Sequence, residues 1–370
     1  MPLTPYAART YFPSANRKGI ALCLSGGGFR AALFHLGAVR RLYELGVLQQ
    51  VRTITAVSGG SLLAAFLARH WHALSGTPLG PAEWNARIAD PFRVVTSRHW
   101  NMWPQIKGLL LGRNAGVRAI ADRIEQSVTD MTLHDLPRHP EFMFCATDLV
   151  RGAPWIFQRT TPTNYRVAMA VAVSSCFPIL LLPYIPATPE HLALVDGGVD
   201  DDRGIEMVWR THETLLVSDG GDALRPRWGR SLAWSWFRSA SVLWNASQEI
   251  QRRWLLSSFE GRQLEGTYWA IDSSVSHYED SKKDREPYHG YSPALARDLL
   301  AVIRTSYDRF SLIEAAVLEN HGYLLTDAAI RTHLPGMPTR RAPLRIPNPG
   351  WMREDLIRQA LVDSATKISG

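Results

Sequence analysis

Two glycine-bearing segments near the start of the chain bring together the residue types that acyl-transfer chemistry needs. Ser25-Gly26-Gly27-Gly28-Phe29-Arg30 follows an apolar run. A turn of three glycines lets backbone N–H groups converge on negative charge where side chains would block access. Ala56-Val57-Ser58-Gly59-Gly60 closes a second short, β-branched run. A serine on such a strand-to-helix corner projects its hydroxyl out of the fold. Serine is a weak nucleophile until a base within hydrogen-bond reach takes its proton. Two later segments offer a carboxylate at the end of a short apolar run, Asp196-Gly197-Gly198 and Asp219-Gly220-Gly221. Their local chemistry is the same, and local reasoning leaves both open.

The elements that must hold these residues follow from the hydrophobic pattern. Apolar runs at 19–24 and 52–57, each followed by a helical pattern (29–46 and 59–74), predict a βαβα beginning with a right-handed crossover and a parallel sheet. Residues 75–140 change character. They are rich in Trp, Arg and Pro and are expected to form irregular helices that cover the sheet. Within them, Trp100-Asn101-Met102-Trp103-Pro104 leads into Ile106 and Leu109-Leu110-Leu111, flanked by His99, Lys107 and Arg113. This cluster is a candidate interfacial lid, with ordinary core packing as the alternative.

Strand character returns at 142–147 and 155–158 around the turn Arg151-Gly152-Ala153-Pro154, a hairpin signal. An alanine-rich helix (167–175), strands at 192–195 and 214–217, a long helix (231–259), a strand at 268–271 and helices near 293–303 and 308–330 complete the domain. The expected organisation is an N-terminal arm (1–17), a catalytic domain (18–334), and a tail (335–370) made of a linker at 335–350 and a short amphipathic helix at 351–366.

Composition sets the class. The chain has 370 residues, 46% of them hydrophobic and 20% charged, which is globular rather than disordered. A net charge of +7 and a pI near 9.5 favour anionic partners, and 13 tryptophans beside basic residues suit a membrane interface as well as a large core. Cys23, Cys145 and Cys176 lie far apart in apolar surroundings and read as reduced core residues of a cytoplasmic protein. No signal peptide is visible in residues 1–18, and the apolar run 177–186 is broken by proline and too short to span a bilayer. Contact with a membrane is therefore expected to be peripheral, on its inner face.

Taken together, Gly26-Gly27-Gly28-Phe29-Arg30, small-x-Ser58-x-Gly60 and Asp196-Gly197-Gly198-Val199 resemble the three signature blocks of the patatin-like phospholipases, over roughly residues 18–330. Ala146-Thr147-Asp148-Leu149, Ser174-Ser175-Cys176-Phe177-Pro178 and Ser218-Asp219-Gly220 also resemble bacterial members. The resemblance implies a three-layer α/β/α fold with a mostly parallel central sheet. It implies a lipid acyl hydrolase acting on phospholipids, lysophospholipids or acylglycerols. Ser58 would be the nucleophile and Asp196 its base, in a dyad without histidine. Gly26, Gly27 and Gly28 would form the oxyanion hole, with Arg30 holding that loop; Ala56 and Gly60 would frame the nucleophile elbow, and Gly197 and Gly198 the base motif.

Two positions depart from the pattern. Ala56 stands where glycine is usual, the smallest change that position can take. Asp200-Asp201-Asp202 stands where an asparagine is often found, and these carboxylates are expected to face solvent, since inward ones would raise the pKa of a nearby base.

In the implied mechanism the glycine-turn amides stabilise the oxyanion, a term worth about 3–4 kcal/mol per donor. An aspartate of ordinary pKa, about 3.9, is a poor base, so an apolar pocket must raise it. Phe29, Leu33, Phe177, Ile179 and Leu180 are placed to wall an acyl chain. This chemistry calls for no metal and no cofactor, and no calcium-binding pattern is visible.

Other readings remain in view. Gly26-x-Gly28-x-x-Ala31 fits a dinucleotide fingerprint, yet the second run ends in Thr55-Ala56-Val57-Ser58 without the acid that would hold a ribose. A catalytic histidine is not favoured: His35 reads as a packed or loop-capping residue, His321 as a structural residue at a helix end, and His70 and His72 lack metal-ligand company. A lipid-binding protein that keeps the fold without turnover is the alternative from another class. Arg225, Arg227, Arg230, Arg238, Arg252, Arg253 and Arg262, interleaved with Trp228, Trp234, Trp236, Trp244 and Trp254, could stack bases or seat on anionic headgroups. Beside the hydrolase blocks, membrane lipid is the better partner and nucleic acid is not expected.

Overall fold

Alternate residues of a buried strand point to opposite faces, so a strand that is apolar throughout must be covered on both sides. The computed structural model, which describes residues 13–100, 114–178, 181–187, 191–221, 228–278 and 289–367, shows this in its central strand. In β1 (Ile20–Leu24), Ala21 and Cys23 belong to one core and Leu22 and Leu24 to another. The larger core lies under α1 (Gly28–Glu44) and α2 (Gly59–Ser75). The smaller is closed by Ile205, Val208, Trp209 and, from a later helix, Leu255.

Parallel neighbours flank β1 on both sides: β2 (Val51–Ala56) and β6 (Thr214–Asp219). Beyond them lie β3 (Glu141–Asp148) and β7 (Glu265–Ala270), also parallel, and the order is β4-β3-β2-β1-β6-β7. The hairpin partner β4 (Ala153–Phe157) is antiparallel. So is the short strand β5 (Leu194–Asp196), which pairs with β3. A three-layer α/β/α arrangement with a mostly parallel sheet results.

The register of β3 explains how the candidate site is assembled. Its first half pairs with β2, ending at Ala56 opposite Phe144. Where β2 stops, β5 takes over with Asp196 opposite Ala146. Because β5 runs the other way, its C-terminal end meets the C-terminal end of β2. Residues 58 and 196 are thereby brought to the same edge of the sheet.

Further helices among the described residues include α3 (residues 81–96, with a π-helical middle at Asn85–Ala89), α4 (Ala115–Ser127), α5 (Val167–Ser174), α6 (Gly198–Asp201), α7 (Leu232–Glu260), α8 (Leu312–His333) and α9 (Glu354–Lys367). The stretch expected as a linker lies against the body: Met337, Ala342, Leu344 and Ile346 pack on the larger core, and Arg41 donates to the carbonyl oxygens of Ala342 and Pro343. His321 sits inside α8 rather than at a helix end. Its buried ring donates Nε2–H to the carbonyl of Ile271 at 2.9 Å. The three cysteines are buried and unpaired. Among the described residues no helix is long and apolar enough to cross a membrane. Of the candidate lid, residues 101–113 lie outside the described residues; Trp100 is buried and stacks on Tyr307 with ring centres 5.9 Å apart.

Candidate active site

Ser58 adopts φ 48°, ψ −113°, a backbone conformation costly for a non-glycine residue. The turn is held from outside. Ser58 N–H donates to Ser174 Oγ at 2.9 Å, and Gly60 N–H donates to the carbonyls of Ser25 and Val57. A methyl group on Gly59 would collide with the backbone of Gly28, and one on Gly60 would meet the Ser25 carbonyl oxygen at 2.7 Å. Two helices of 17 residues thus start against each other, and their N-terminal amides face one cleft.

Gly27 (φ 128°) and Gly28 (φ 61°) form the turn that starts α1, in backbone conformations that side chains rarely adopt. Among the described residues, the N–H groups of Gly27, Gly28 and Gly59 donate to no protein acceptor. Gly26 departs from the expectation, because its N–H already donates to the carbonyl of Asp202 at 3.0 Å. Arg30 also acts one step away from the cleft. Its buried guanidinium donates to the carbonyl oxygens of Gly220, Ala301 and Ile303, which ties the glycine turn to the end of β6 and to the 301–303 segment. His35 braces the same turn. Nε2–H donates to the carbonyl of Ser25 at 3.1 Å, leaving Nδ1 to accept from Ser218 Oγ at 2.7 Å. Burial lowers its pKa to about 4, so this ring is neutral.

Asp196 is 5% exposed, with one carboxyl oxygen accepting from Gly198 N–H at 2.8 Å. Burial pushes its pKa up to about 7, against the opposing pull of the Gly198 amide and the nearby Ser58 hydroxyl. Gly197 has no room for a side chain, since a methyl group there would meet the Cys145 carbonyl oxygen at 2.5 Å. Among the described residues no histidine hydrogen-bonds to Ser58 or Asp196.

The rival carboxylate is engaged elsewhere. Asp219 accepts from Arg203 Nε at 2.6 Å, Tyr268 Oη at 2.7 Å and Gly221 N–H at 2.9 Å. Burial alone would raise its pKa, but Arg203 and these donors hold it well below the usual carboxylate range. Such a group is a fixed anion and a poor base.

Several residues stand differently from their sequence-based placement. Asp201 and Asp202 do not face solvent: both are buried, because α6 turns them back into the protein. Asp201 accepts from Arg203 N–H, Glu206 N–H and Gln251 Nε2, whereas the Asp202 carboxyl lies close against Gly26 and Gly198. Phe29 and Leu33 are fully buried core residues rather than an open acyl wall. Ile179 and Leu180 lie outside the described residues, and Phe177 is half-buried. Ala56 is also fully buried, its methyl group part of the larger core.

Tyr307 carried no signal in the sequence. Its hydroxyl lies 3.4 Å from Ser58 Oγ and donates to Ser175 Oγ at 2.8 Å. Burial pushes its pKa up to about 12, so the phenol stays protonated. It arrives through tertiary structure alone. Arg30 anchors residues 301 and 303, the carbonyl of Ser306 accepts from Phe29 N–H, and the Phe29 ring packs edge-on against Tyr307 with centres 5.1 Å apart.

Comparison with known proteins agrees with the signature blocks. The family model described as Patatin-like phospholipase matches residues 22–209, just over half of the chain. A search of curated protein sequences finds no match. Among solved structures, the chain is similar to VipD from Legionella pneumophila at 15% identity and a TM-score of 0.38, covering 87% of this chain and 68% of that one. It is similar to human GIVD cytosolic phospholipase A2 at 11% identity and a TM-score of 0.37, covering 56% of this chain and 46% of that one. The type III effector protein ExoU matches at 16% identity and a TM-score of 0.29, with 78% and 53% covered. All three TM-scores lie below 0.5, and the assignment stands on the sequence match.

Proposed function

Because this chain belongs to the patatin-like phospholipase family, we propose that it hydrolyses carboxylic esters of membrane lipids through a Ser58–Asp196 dyad and an acyl-enzyme. Asp196 takes the proton of Ser58 as Oγ attacks the ester carbonyl. The oxyanion is met by the free N–H groups of Gly27, Gly28 and Gly59, at the starts of two helices whose dipoles add to the effect. The same proton then passes to the departing alcohol oxygen as the ester bond breaks. Water attacks the acyl-enzyme next, with Asp196 again as the base. The Tyr307 hydroxyl, whose own proton goes to Ser175 Oγ, can accept from Ser58 Oγ before the attack and so holds the resting serine in place.

The observation that carries this reading is the state of Asp196. A carboxyl whose pKa is raised by burial to about 7 can accept a proton near neutrality and return it, which an exposed aspartate does poorly. The substrate class is the lipid ester that the family implies: phospholipid, lysophospholipid or acylglycerol. A lipid surface is also what α7 suits. Leu232, Trp236, Leu243 and Ile250 form a stripe on one side of this helix, 63–76% exposed and about 27 Å long. Arg230, Arg238 and Arg253 accompany it. The opposite side reaches the base motif, with Trp244 Nε1–H donating to the carbonyl of Gly198 at 2.5 Å.

A fluorophosphonate probe with mapping of the labelled residue separates this reading from a lipid-binding protein without turnover. Ser58 is expected to carry the label, and Ser58→Ala is expected to abolish both labelling and hydrolysis of a short-chain nitrophenyl ester. An unlabelled Ser58 in the folded protein, or an unchanged rate in Ser58→Ala, would falsify the hydrolase reading.

A further inference from the structure

Asp202 is a carboxyl close to the dyad that the dyad leaves without a task. It is 9% exposed, and among the described residues its carboxyl oxygens have no hydrogen-bond partner. Three glycines outline where it lies. A methyl group on Gly26 would collide with Asp202 Oδ1 on one side and stand 3.5 Å from Ser58 Cβ on the other. One on Gly198 would be 2.7 Å from Asp202 Oδ1 and 3.2 Å from Asp196 Oδ1. One on Gly221 would be 3.3 Å from Asp202 Oδ2 and 2.8 Å from Asp219 Oδ1. Asp202 therefore stands between Asp196 and Asp219 and faces Ser58 across Gly26.

The charges around it are nearly all of one sign. Asp196 comes from β5, Asp201 from α6 and Asp219 from β6. Arg203 is the nearby cation, yet its guanidinium donates to Asp219, to Gln248 and to Gln251 of α7. Arg252 of α7 pairs with Asp272, Tyr268 of β7 donates to Asp219, Arg30 of α1 is engaged with backbone carbonyls, and His35 of α1 is neutral. Burial, then Asp219 and Asp196, hold the Asp202 pKa well above the usual carboxylate range, with Arg203 pulling the other way. Without a protein donor and beside two anions, the charged form of this carboxyl is disfavoured.

We propose that Asp202 serves as a neutral carboxylic acid whose O–H donates a hydrogen bond to the ester bound at Ser58, and whose ionisation shuts the site by setting an anion beside the developing oxyanion. The proposal rests on the hydrolase reading of Ser58. The consequence is a second limb in the pH profile. Asp196 sets the acid limb, near 7. Asp202 sets the alkaline one. Burial raises the other neighbouring acids, the Tyr307 phenol and the Cys176 thiol, to about 12.

The test is the rate of fluorophosphonate labelling of Ser58 in the full chain, measured across pH 5 to 11, for the wild type and for Asp202→Asn. The wild type is expected to rise through about 7, level off, and then fall about tenfold per pH unit. Asp202→Asn, isosteric and uncharged, should keep the acid limb and lose the alkaline fall, whatever its plateau rate. A residue that merely fills space would leave that limb in place. The proposal is overturned by an alkaline fall that persists in Asp202→Asn, or by its absence in the wild type. Infrared difference spectra give a readout without turnover. A protonated-carboxyl C=O band present at neutral pH should disappear in Asp202→Asn, and identical spectra overturn the proposal. If wild-type Ser58 is labelled at no pH, the hydrolase reading fails, and the infrared band alone decides the protonation of Asp202.

Discussion

Asp196→Asn is expected to make the protein more stable under the conditions where it destroys activity. A folded-state pKa raised from the ordinary 3.8 to about 7 means that the native protein holds the proton more tightly than the unfolded chain does. Below pH 3.8 both states are protonated and the residue carries no penalty. As pH rises through this window the native state must either keep a proton that the unfolded chain releases or bury a charge. Stability is therefore lost up to about pH 7 and the loss is complete above it. At about 1.4 kcal/mol for each tenfold change, the rise amounts to about 4 kcal/mol.

Asparagine escapes this penalty while keeping the shape of the side chain. Urea unfolding followed by the fluorescence of the 13 tryptophans, at pH 4 and at pH 8, measures it. The variant should match the wild type within about 1 kcal/mol at pH 4 and exceed it by up to about 4 kcal/mol at pH 8. In parallel, wild-type kcat/KM for the nitrophenyl ester should fall about a hundredfold from its plateau to pH 5, and Asp196→Asn should show no turnover. A stability difference independent of pH would refute the burial argument. A wild-type rate flat from pH 5 to 8 would refute the role of Asp196 as base.

Two further outcomes follow from the same geometry. Asp219→Asn leaves the buried Arg203 without its anion and should cost about 3–5 kcal/mol in urea unfolding, while Ser58 in the remaining folded protein is still labelled; an intact fold that no longer labels would make Asp219 the base instead. Replacing Leu232, Trp236 and Leu243 of α7 by serine should leave stability within about 1 kcal/mol and the soluble ester rate unchanged, and should remove co-sedimentation with vesicles of anionic phospholipid; undiminished sedimentation would move the membrane contact elsewhere.

The order of strands and helices up to α2 was legible because each element carries its own hydrophobic period and its own stop. The hairpin and the long helix were legible for the same reason. Tail packing was less so: Pro- and Arg-rich residues at 335–350 look like a linker by composition, yet Arg41 and the apolar side chains among them bind that segment to the body. The burial of Asp201 and Asp202 is not legible locally, because a run of three acids has the composition of a solvated turn. Only the four-residue helix α6, with Arg203 and α7 behind it, faces them inward.

What the chain determined by itself was the glycine turn at residues 26–28 and the elbow at Ser58. Both are local, and the backbone conformations and close approaches they require are written in consecutive residues. Tertiary structure decided what surrounds them. Asp196 reaches the edge beside Ser58 because β5 runs against the sheet, and Asp219 is withdrawn because Arg203 neutralises it. Tyr307 comes from 249 residues away to touch Ser58 Oγ. Asp202 lies close to the dyad because three separate glycines make room for its carboxyl. Contacts between residues this distant depend on strand register and on which charges meet. No local run of sequence encodes either.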